Sequence, residues 1–239
     1  MQLTDSQFVC QGKVIGSANA KLRKTSVAIV GVGGTGSNAA LLLAQLGTKQ
    51  VTLIDPDVIE TSNLGRQPLF TKSDIGKFKA ETAVQKLKQH KNTLFIPTVN
   101  LLTEKNAAKL IANADIVLDC TDNYAARKAI NSFCLRKKIP WIYCGAIRDK
   151  IMVSTIIPSK TPCFNCFAIK PTCEVSCCEE GIIPTATSIA AGIQVQEFVN
   201  LLGGKPKLAG KMLHMNLSTL TFSIFSLEKK CKDCKNRVK

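Results

Sequence analysis

The sequence predicts an α/β protein built on a doubly wound, mostly parallel sheet. Between residues 26 and 150, short apolar segments alternate with segments of helical period, which is typical of parallel strands joined by helical crossovers. The first apolar segment breaks into glycines and then opens into a helix-forming run over residues 39–46. From Lys150 this alternation gives way to a different pattern, which indicates a C-terminal extension.

The alternating elements follow one another without interruption as far as residue 150. Buried parallel strands are expected as short continuous apolar runs, and helices as apolar residues three or four positions apart. After a first strand at 26–30, the sequence predicts helix 35–46, strand 50–55, helix 79–88, strand 94–96, helix 104–112, strand 114–119, helix 123–137 and strand 141–144. The segment 56–68 has neither period, so we expect a functional loop there.

The chain divides into three parts on this pattern. Residues 1–25 are polar and basic and are expected to form a lead-in element with a short helix over 18–24. Residues 26–150 form the first half of the main domain, and residues 151–239 form a second half with a strand at 151–157, a cysteine-rich loop, a long helix at 185–202 and short strands at 211–226. Gln194, Gln196 and Glu197 interrupt the long helix, which indicates a core helix and not a membrane span.

Composition limits the classes of partner and compartment. The formal charge is +15 and the pI is about 9.4, which favours anionic partners such as nucleotides, an acidic protein or nucleic acid. General solubility explains this charge equally well. The N-terminal residues lack the pattern of a secretory leader, and no uncharged apolar run reaches the ~18 residues of a membrane span. We therefore expect a cytoplasmic protein.

The glycine turn predicts a nucleotide site. Gly31, Gly33 and Gly36 have the G-x-G-x-x-G spacing, which lets a turn close tightly and lets phosphate approach the backbone at the start of a helix. Asp55 ends the next apolar run, about 20 residues further on, where a carboxylate can bind a ribose. Together these features predict a Rossmann-like nucleotide site. The alternative is an ordinary strand-to-helix turn that requires glycine.

Two C-x-x-C pairs predict a metal site. The chain has eleven cysteines, a number that in a cytosolic protein points to metal binding, catalysis or small buried side chains. Cys163 and Cys166 form one pair, and Cys231 and Cys234 form the other, so four thiolates could bind one tetrahedral Zn²⁺. Such a zinc ion would be structural and would tie the C-terminal tail to the extension. Redox-active or free thiols are the alternative.

Charged side chains follow the first, second and fourth strands, and therefore meet at the carboxyl edge of the sheet. They belong to the segment 62–67, to Lys79 and to the segment 121–123. Cations and a carboxylate beside a phosphate-binding turn suit phosphoryl chemistry with Mg²⁺. Taken singly, Arg66 could be a surface residue, Lys79 a helix flank and Asp122 a helix N-cap.

These segments together resemble the family of E1-like activating enzymes, which includes the adenylyltransferases ThiF and MoeB. The resemblance runs from about Lys21 to Cys234 and is carried by GVGGTGS at 31–37, DPD at 55–57, SNLGRQ at 62–67, DIGKFKA at 74–80, DCTDNYAAR at 119–127 with Asn131, and both C-x-x-C pairs. It implies ATP-dependent adenylation of the C-terminal glycine of a small ubiquitin-like sulfur carrier protein that ends in Gly-Gly. It also implies a homodimer.

The resemblance assigns roles residue by residue. The implied catalytic residues are Arg66, Lys79, Asp122 and Cys177, with Asp122 as the Mg²⁺ carboxylate. The implied nucleotide-binding residues are Gly31, Gly33, Gly34, Asp55, Asp57, Asn63, Arg66, Lys79 and Asp122, with Asp55 on the ribose. The implied zinc ligands are Cys163, Cys166, Cys231 and Cys234. The carrier carboxylate is already an anion, so no general base is needed, in keeping with the distance of His90 and His214 from these motifs.

The sequence departs from the family pattern at two places. Family members have an arginine before a glutamine in the lead-in, and it reaches the partner subunit's ATP site. Ser6 stands there in this chain, and Lys13, Arg23 or no residue replaces that arginine. The second place is the segment 177–181, where Cys177 matches a family cysteine and Cys178 is additional. Cys177 is either a residue that links covalently to the carrier or a loop thiol.

Other functions remain open at this stage. Within the same family, the chain could activate a modifier for protein conjugation or act as a tRNA-modifying dehydratase. The glycine turn and Asp55 also suit an NAD-dependent oxidoreductase, and the net charge suits a zinc-stabilised nucleic-acid binder, although interleaved aromatic residues are lacking. For a sulfur-carrier enzyme, the sulfur donor is expected to act in trans. The sequence does not identify the carrier or its pathway.

Overall fold

The computed structural model describes residues 7–169 and 180–235. Within these residues the strands are β1 Ser26–Val30, β2 Gln50–Ile54, β3 Leu94–Thr98, β4 Ile116–Asp119, β5 Trp141–Ile147, β6 Lys150–Ile156, β7 Lys211–Asn216 and β8 Thr221–Ser226. They form one sheet in the order β3-β2-β1-β4-β5-β6-β7-β8. Each strand predicted from the sequence is present, within a few residues of its expected bounds.

The first five strands form the parallel part of the sheet. β1 lies between β2 and β4, with Ser26 opposite Gln50 and Val27 opposite Ile116. The chain crosses from β1 outward to β2 and β3 and then returns to β4 and β5 on the other side of β1. The order of the strands therefore reverses beside β1, and a crevice opens at the carboxyl ends of β1 and β4. The predicted α/β class is confirmed.

The last three strands continue the same sheet. β6, β7 and β8 are all antiparallel to their neighbours, starting from the β5–β6 pair. Arg148 lies between β5 and β6 with φ 53°, a conformation suited to a tight turn. The C-terminal extension therefore adds three antiparallel strands to the edge of the parallel part, next to β5. The sheet ends at β8.

Helices cover both faces of the sheet. Among the described residues they are α1 Val9–Ile15, α2 Ala18–Leu22, α3 Gly34–Leu46, α4 Lys79–Leu87, α5 Ala107–Ile111, α6 Tyr124–Lys137, α7 Phe164–Phe167, α8 Pro184–Leu202 and α9 Lys232–Lys235. One core lies on the side of α3 and α8 and includes Leu43 and Phe198. The other lies on the side of α6 and α7 and includes Phe133 and Trp141.

The long helix α8 is a core helix, as the sequence predicts. Gln194 is fully buried, and its Nε2 donates to the carbonyl oxygens of Asp119 at 2.8 Å and Ile142 at 3.0 Å. Glu197 is buried and accepts from Thr155 Oγ1 at 2.9 Å and from Leu208 N at 2.8 Å. Within the described ranges, no helix has the length and apolar character needed to cross a membrane.

Candidate functional site

A cavity of about 630 Å³ lies at the carboxyl edge of the parallel strands. Its wall is formed by segments that follow β1, β2, β3 and β4, together with the start of α8. It brings together all nine of the nucleotide-binding residues implied by the resemblance, namely Gly31, Gly33, Gly34, Asp55, Asp57, Asn63, Arg66, Lys79 and Asp122. The topology therefore places these residues around one space that is large enough for a nucleotide.

The glycine turn after β1 is packed against neighbouring backbone. Gly31 has φ 88°, and a Cβ at this position would lie 2.6 Å from the carbonyl oxygen of Cys120. A Cβ at Gly34 would lie 2.6 Å from Thr187 Cγ2 of α8. Glycine is thus required by both conformation and close approach. α3 begins at Gly34, so its first N–H groups lie at the cavity, where they can bind an anion.

Asp55 fixes this turn from the end of β2. Its Oδ2 accepts from Val32 N at 2.6 Å and its Oδ1 from Asp57 N at 2.8 Å. Burial raises the pKa of the Asp55 carboxyl, and the positive charge of Lys79 opposes the rise. Each carboxylate oxygen retains further acceptor capacity. Asp55 can therefore hold the turn and still accept from a ribose hydroxyl.

A buried lysine supplies positive charge on the same side. Lys79 begins α4, and its Nζ lies 2.8 Å from Asp57 Oδ2. The lysine side chain is 9% exposed, whereas that of Asp57 is 62% exposed. Because Asp57 can turn toward solvent, Lys79 can exchange this partner for a phosphate without leaving its buried position.

The segment 61–67 presents amide and guanidinium groups. Asn63 ends a 3₁₀ helix and is buried, with its Oδ1 accepting from Glu60 N at 3.1 Å. Arg66 is half-buried, and its Nη1 donates to the carbonyl oxygen of Ser62 at 2.8 Å. These hydrogen bonds fix the predicted loop 56–68, whose sequence has neither a helical nor a strand period. The loop thereby becomes a rigid part of the cavity wall.

Asp122 lies on the opposite wall, after β4. It is exposed, and among the described residues no hydrogen bond uses its carboxylate. The N-cap of α6 is Asn123, whose Oδ1 accepts from Ala126 N at 2.8 Å. The alternative that Asp122 caps the helix is therefore wrong, and its carboxylate is available to a cation. Such a group suits Mg²⁺, which prefers one or two carboxylates together with phosphate oxygens.

A buried ion pair holds the segment that carries Asp122. Asp119 accepts from Thr121 N at 3.0 Å and from Thr121 Oγ1 at 2.7 Å, and Arg127 Nε donates to it at 3.2 Å. Arg127 Nη2 donates to the carbonyl oxygens of Thr121 at 2.6 Å and Cys144 at 3.3 Å. Thr121 is thus bound from both sides. We had not assigned a role to either charged residue from the sequence.

The four predicted zinc ligands form a separate cluster in the second core. Their sulfur atoms all lie within 4.8 Å of one another, with Cys163–Cys231, Cys166–Cys231 and Cys166–Cys234 distances of 3.5, 3.4 and 3.5 Å. Tetrahedral Zn²⁺ with bonds of ~2.3 Å requires sulfur separations of about 3.8 Å, so the residues fit this ion. None of the four lines the nucleotide cavity. The cluster connects the segment around α7 with α9.

Among these sulfur atoms, that of Cys166 has an environment that suits a thiolate. Burial raises the pKa of Cys163, which disfavours its thiolate until a cation binds. Burial would likewise raise the pKa of Cys166, but backbone N–H groups outweigh it and lower that pKa to about 7. One of them, Lys230 N, lies 3.4 Å from the Cys166 sulfur. Such donors stabilise a metal-bound thiolate.

Some predicted residues do not join the site or cannot be placed. Ser6, Cys177 and Cys178 lie outside the described residues, so what is expected of them stays a prediction from the sequence. His90 and His214 do not line the cavity. The cavity wall also includes Leu101, Cys144 and Thr187, which the sequence analysis does not predict, and Gln67, which lies in the predicted segment 62–67 without a role of its own. Leu101 follows β3, and residues that follow parallel strands lie at the carboxyl edge of the sheet. The same argument, applied to β3, would therefore have predicted Leu101 from the sequence.

The chain is similar in sequence to a family of known proteins and to several of its members. A model of the ThiF family matches residues 10–236. The molybdopterin-synthase adenylyltransferase of Escherichia coli K12 is 35% identical over 206 residues, which cover 84% of this chain and 82% of that protein. The sulfur carrier protein ThiS adenylyltransferase of the same strain is 34% identical over 196 residues, covering 80% of this chain and 78% of that protein.

Longer relatives and solved structures extend the comparison. The adenylyltransferase and sulfurtransferase MOCS3 of Aedes aegypti is 32% identical over 98% of this chain, and the chain spans about half of that relative, 53%. The crystal structure of E. coli MccB with ATP superposes with a TM-score of 0.83 at 22% identity, covering 98% of this chain and 75% of that one, and shows the same fold. The resemblance to the E1-like enzymes is thus confirmed: the chain belongs to the ThiF family and is an adenylyltransferase of the ThiF and MoeB type.

Proposed function

We propose that this protein uses ATP to adenylate the C-terminal glycine of a small ubiquitin-like sulfur carrier protein and releases pyrophosphate. The observation that carries the proposal is the single cavity that holds all nine nucleotide-binding residues implied by the resemblance. Relatives that are 35% and 34% identical to this chain are named as a molybdopterin-synthase adenylyltransferase and a ThiS adenylyltransferase. Both names describe this class of reaction.

The cavity supplies the groups that nucleotide binding requires. The N–H groups at the start of α3 would bind phosphate oxygens, and Asp55 would accept from the ribose. Arg66, Lys79 and Asn63 would contact the phosphates, with Asp57 holding Lys79 in place until ATP binds. Charge grows on the phosphoryl oxygens when the carrier carboxylate attacks the α-phosphate, so cations fixed in a buried wall lower the barrier.

Asp122 is the residue that would hold Mg²⁺. Its carboxylate faces the cavity opposite the phosphate-binding groups, and the fixed position of Thr121 restricts where it can lie. Mg²⁺ would neutralise charge on the phosphate oxygens. The attacking group is a carboxylate that is ionised at neutral pH, so the reaction needs no protein base. The absence of His90 and His214 from the cavity wall is consistent with this.

The carrier would dock on the half of the domain formed by residues 151–239. β8 ends the sheet, and all six of its residues are exposed, with Phe222 at 68% and Ile224 at 52%. An exposed apolar edge strand suits a β-rich partner that adds to the sheet. The carrier's Gly-Gly tail would then enter the cavity. In this proposal residues 26–150 bind ATP, and residues 1–25 form a lead-in element before them.

Several further features belong to the proposal. The four-cysteine cluster would bind a structural Zn²⁺, and the sulfur donor would be a separate protein. We propose a homodimer and a catalytic role for Cys177. The guanidinium of Arg23 donates to the carbonyl oxygen of Leu46 at 2.7 Å and lies over the ring of Phe8 in its own subunit, so Lys13 or no residue takes the place of the family's intersubunit arginine. The eight described cysteines form no disulfide, which suits the reducing cytoplasm. Modifier activation for conjugation and tRNA dehydration remain alternatives that share the adenylation step.

The test is carrier-dependent exchange of pyrophosphate into ATP. The protein is incubated with ATP, Mg²⁺ and candidate carriers that end in Gly-Gly, and each carrier without its terminal glycine is the control. Asp122→Asn should abolish exchange, whereas Glu81→Gln, on an exposed position of α4, should leave it unchanged. Absence of exchange with every carrier would refute the proposal. Tighter binding of NADH than of ATP would favour the oxidoreductase, and salt-sensitive RNA binding would favour the nucleic-acid binder.

A further inference from the structure

Gln67 is a buried amide in the wall of the nucleotide cavity. Its residue is 2% exposed, and its Oε1 has no hydrogen-bond partner in the part of the chain that the structure describes. A buried polar atom without a partner has lost its bonds to water and gained nothing in return. Eight side-chain atoms of the described residues are buried without a hydrogen-bond partner, and among them only Gln67 Oε1 belongs to a residue of the cavity wall.

The position of Gln67 is fixed by its backbone. Its N–H donates to the carbonyl oxygen of Asn63 at 3.0 Å, and its carbonyl oxygen accepts from Phe70 N at 3.2 Å. The side chain reaches the glycine turn, because a Cβ built on Gly33 would lie 3.8 Å from Gln67 Nε2. The amide is therefore held beside the backbone that leads into α3.

A second buried glutamine, Gln194, has hydrogen-bond partners for its whole amide. Gln194 is fully buried, and its amide makes three bonds: two from Nε2 to carbonyl oxygens and one to Oε1 from Cys120 Sγ at 3.2 Å. No comparable set of partners surrounds the side chain of Gln67 within the described residues. Gln194 does not line the cavity, whereas Gln67 forms part of its wall. The amide of Gln67 can therefore reach a ligand in the cavity, whereas the amide of Gln194 is bonded within the protein.

We propose that Gln67 contacts the nucleotide directly, with Nε2 donating to a phosphate oxygen held at the glycine turn. The turn at Gly33 leads into the N-terminus of α3, which favours an anion at this place. Oε1 would accept from a water molecule that is bound together with the phosphates. Gln67 thus adds a directed neutral donor to the charged groups of Arg66 and Lys79. This role depends on the proposed use of ATP and names a further residue of that site.

The experiment compares stability and nucleotide binding in the variant Gln67→Met. Methionine has a similar volume and no polar atom to bury, so the melting temperature of the ligand-free protein should stay equal or rise. Affinity for ATP, measured by calorimetry, should fall about 10- to 100-fold, the loss expected for one hydrogen bond to a charged group. Affinity for adenosine, which carries no phosphate, should not change.

Two control variants separate this role from a structural one. Gln194→Met should lower the melting temperature, because it leaves two buried carbonyl oxygens without a donor. Gln85→Met, on an exposed position of α4, should change neither property. Unchanged ATP affinity in Gln67→Met, or equal losses for ATP and adenosine, would overturn the phosphate contact while leaving the proposed function intact. A parent protein that binds no ATP would overturn both.

Discussion

Replacement of Arg127 by methionine should strongly destabilise the protein. Asp119 is fully buried, and the side chain of Arg127 is 16% exposed. Removal of the guanidinium leaves a carboxylate in the core without its counter-charge, and such a change typically costs about 3–5 kcal/mol. For a chain of this size the corresponding fall in melting temperature is about 6–20 °C. Arg136→Met is the matched control, because Arg136 lies on the exposed side of the same helix and should cost less than about 0.5 kcal/mol.

The deficit should depend on pH. Burial raises the pKa of Asp119, and Arg127 opposes this rise. A carboxyl whose pKa is higher in the folded than in the unfolded state favours folding at low pH, and this contribution is lost as the pH rises through the folded-state value. Without Arg127 that value rises further, so the loss continues to higher pH. Denaturant unfolding should therefore show a larger deficit for Arg127→Met at about pH 8 than at about pH 5.

A double-mutant cycle tests the cause. Adding Asp119→Asn to Arg127→Met removes the buried charge and should restore part of the lost stability, with a coupling energy of about 1–3 kcal/mol. The reasoning would be refuted by a deficit that does not vary with pH together with additive effects of the two substitutions. That result would mean that the ion pair contributes packing alone, through the ring of Tyr143, which lies 5.0 Å from the guanidinium carbon.

Three further perturbations have defined outcomes. Arg66→Ala should lower kcat for pyrophosphate exchange on the order of 10²-fold, whereas a change confined to KM would indicate ground-state binding only. Gly31→Ala should cost about 2–4 kcal/mol in denaturant unfolding, because its φ of 88° and the 2.6 Å approach to Cys120 leave no room for a methyl group; an unchanged stability would contradict this geometry. Cys231→Ser should lose zinc by mass spectrometry and lower the melting temperature, with exchange activity falling only as far as folding does; one zinc per chain at unchanged stability would show that Cys231 is not a ligand.

The parallel half of the fold could be predicted because its signals are local. An uninterrupted apolar run such as residues 116–118 of the strand Ile116–Asp119 has one stable environment, a strand covered on both faces. The site followed from the same pattern, since residues after parallel strands meet at one edge. Lys79 and Asp122 are 43 positions apart in the sequence, yet both line the cavity. Their common location follows from the strand order alone, without knowledge of any contact between them.

The remaining features depend on pairings between distant segments. The strands of residues 211–226 were expected, but their partners were not, because alternation fixes the faces of a strand and not its neighbour. The helix Val9–Ile15 was missed because Gly12 weakens its helical signal. Thr187 enters the cavity because α8 packs tightly against Gly34. The missing hydrogen-bond partner of Gln67 Oε1 could not be predicted from the sequence, because it depends on the burial of the side chain and on its neighbours in the fold.

The four-cysteine cluster and the nucleotide cavity are connected through one layer of side chains. Phe164, which follows Cys163, packs against Tyr143 with ring centroids 5.9 Å apart. Tyr143 in turn lies beneath Arg127, whose guanidinium binds the Thr121 carbonyl next to Asp122. The cysteines hold α7 in the second core, on the far side of β5 from α8. A structural metal at this place would support the wall on which Asp122 stands without contacting the nucleotide, so its loss would be felt first as loss of packing and only then as loss of adenylation.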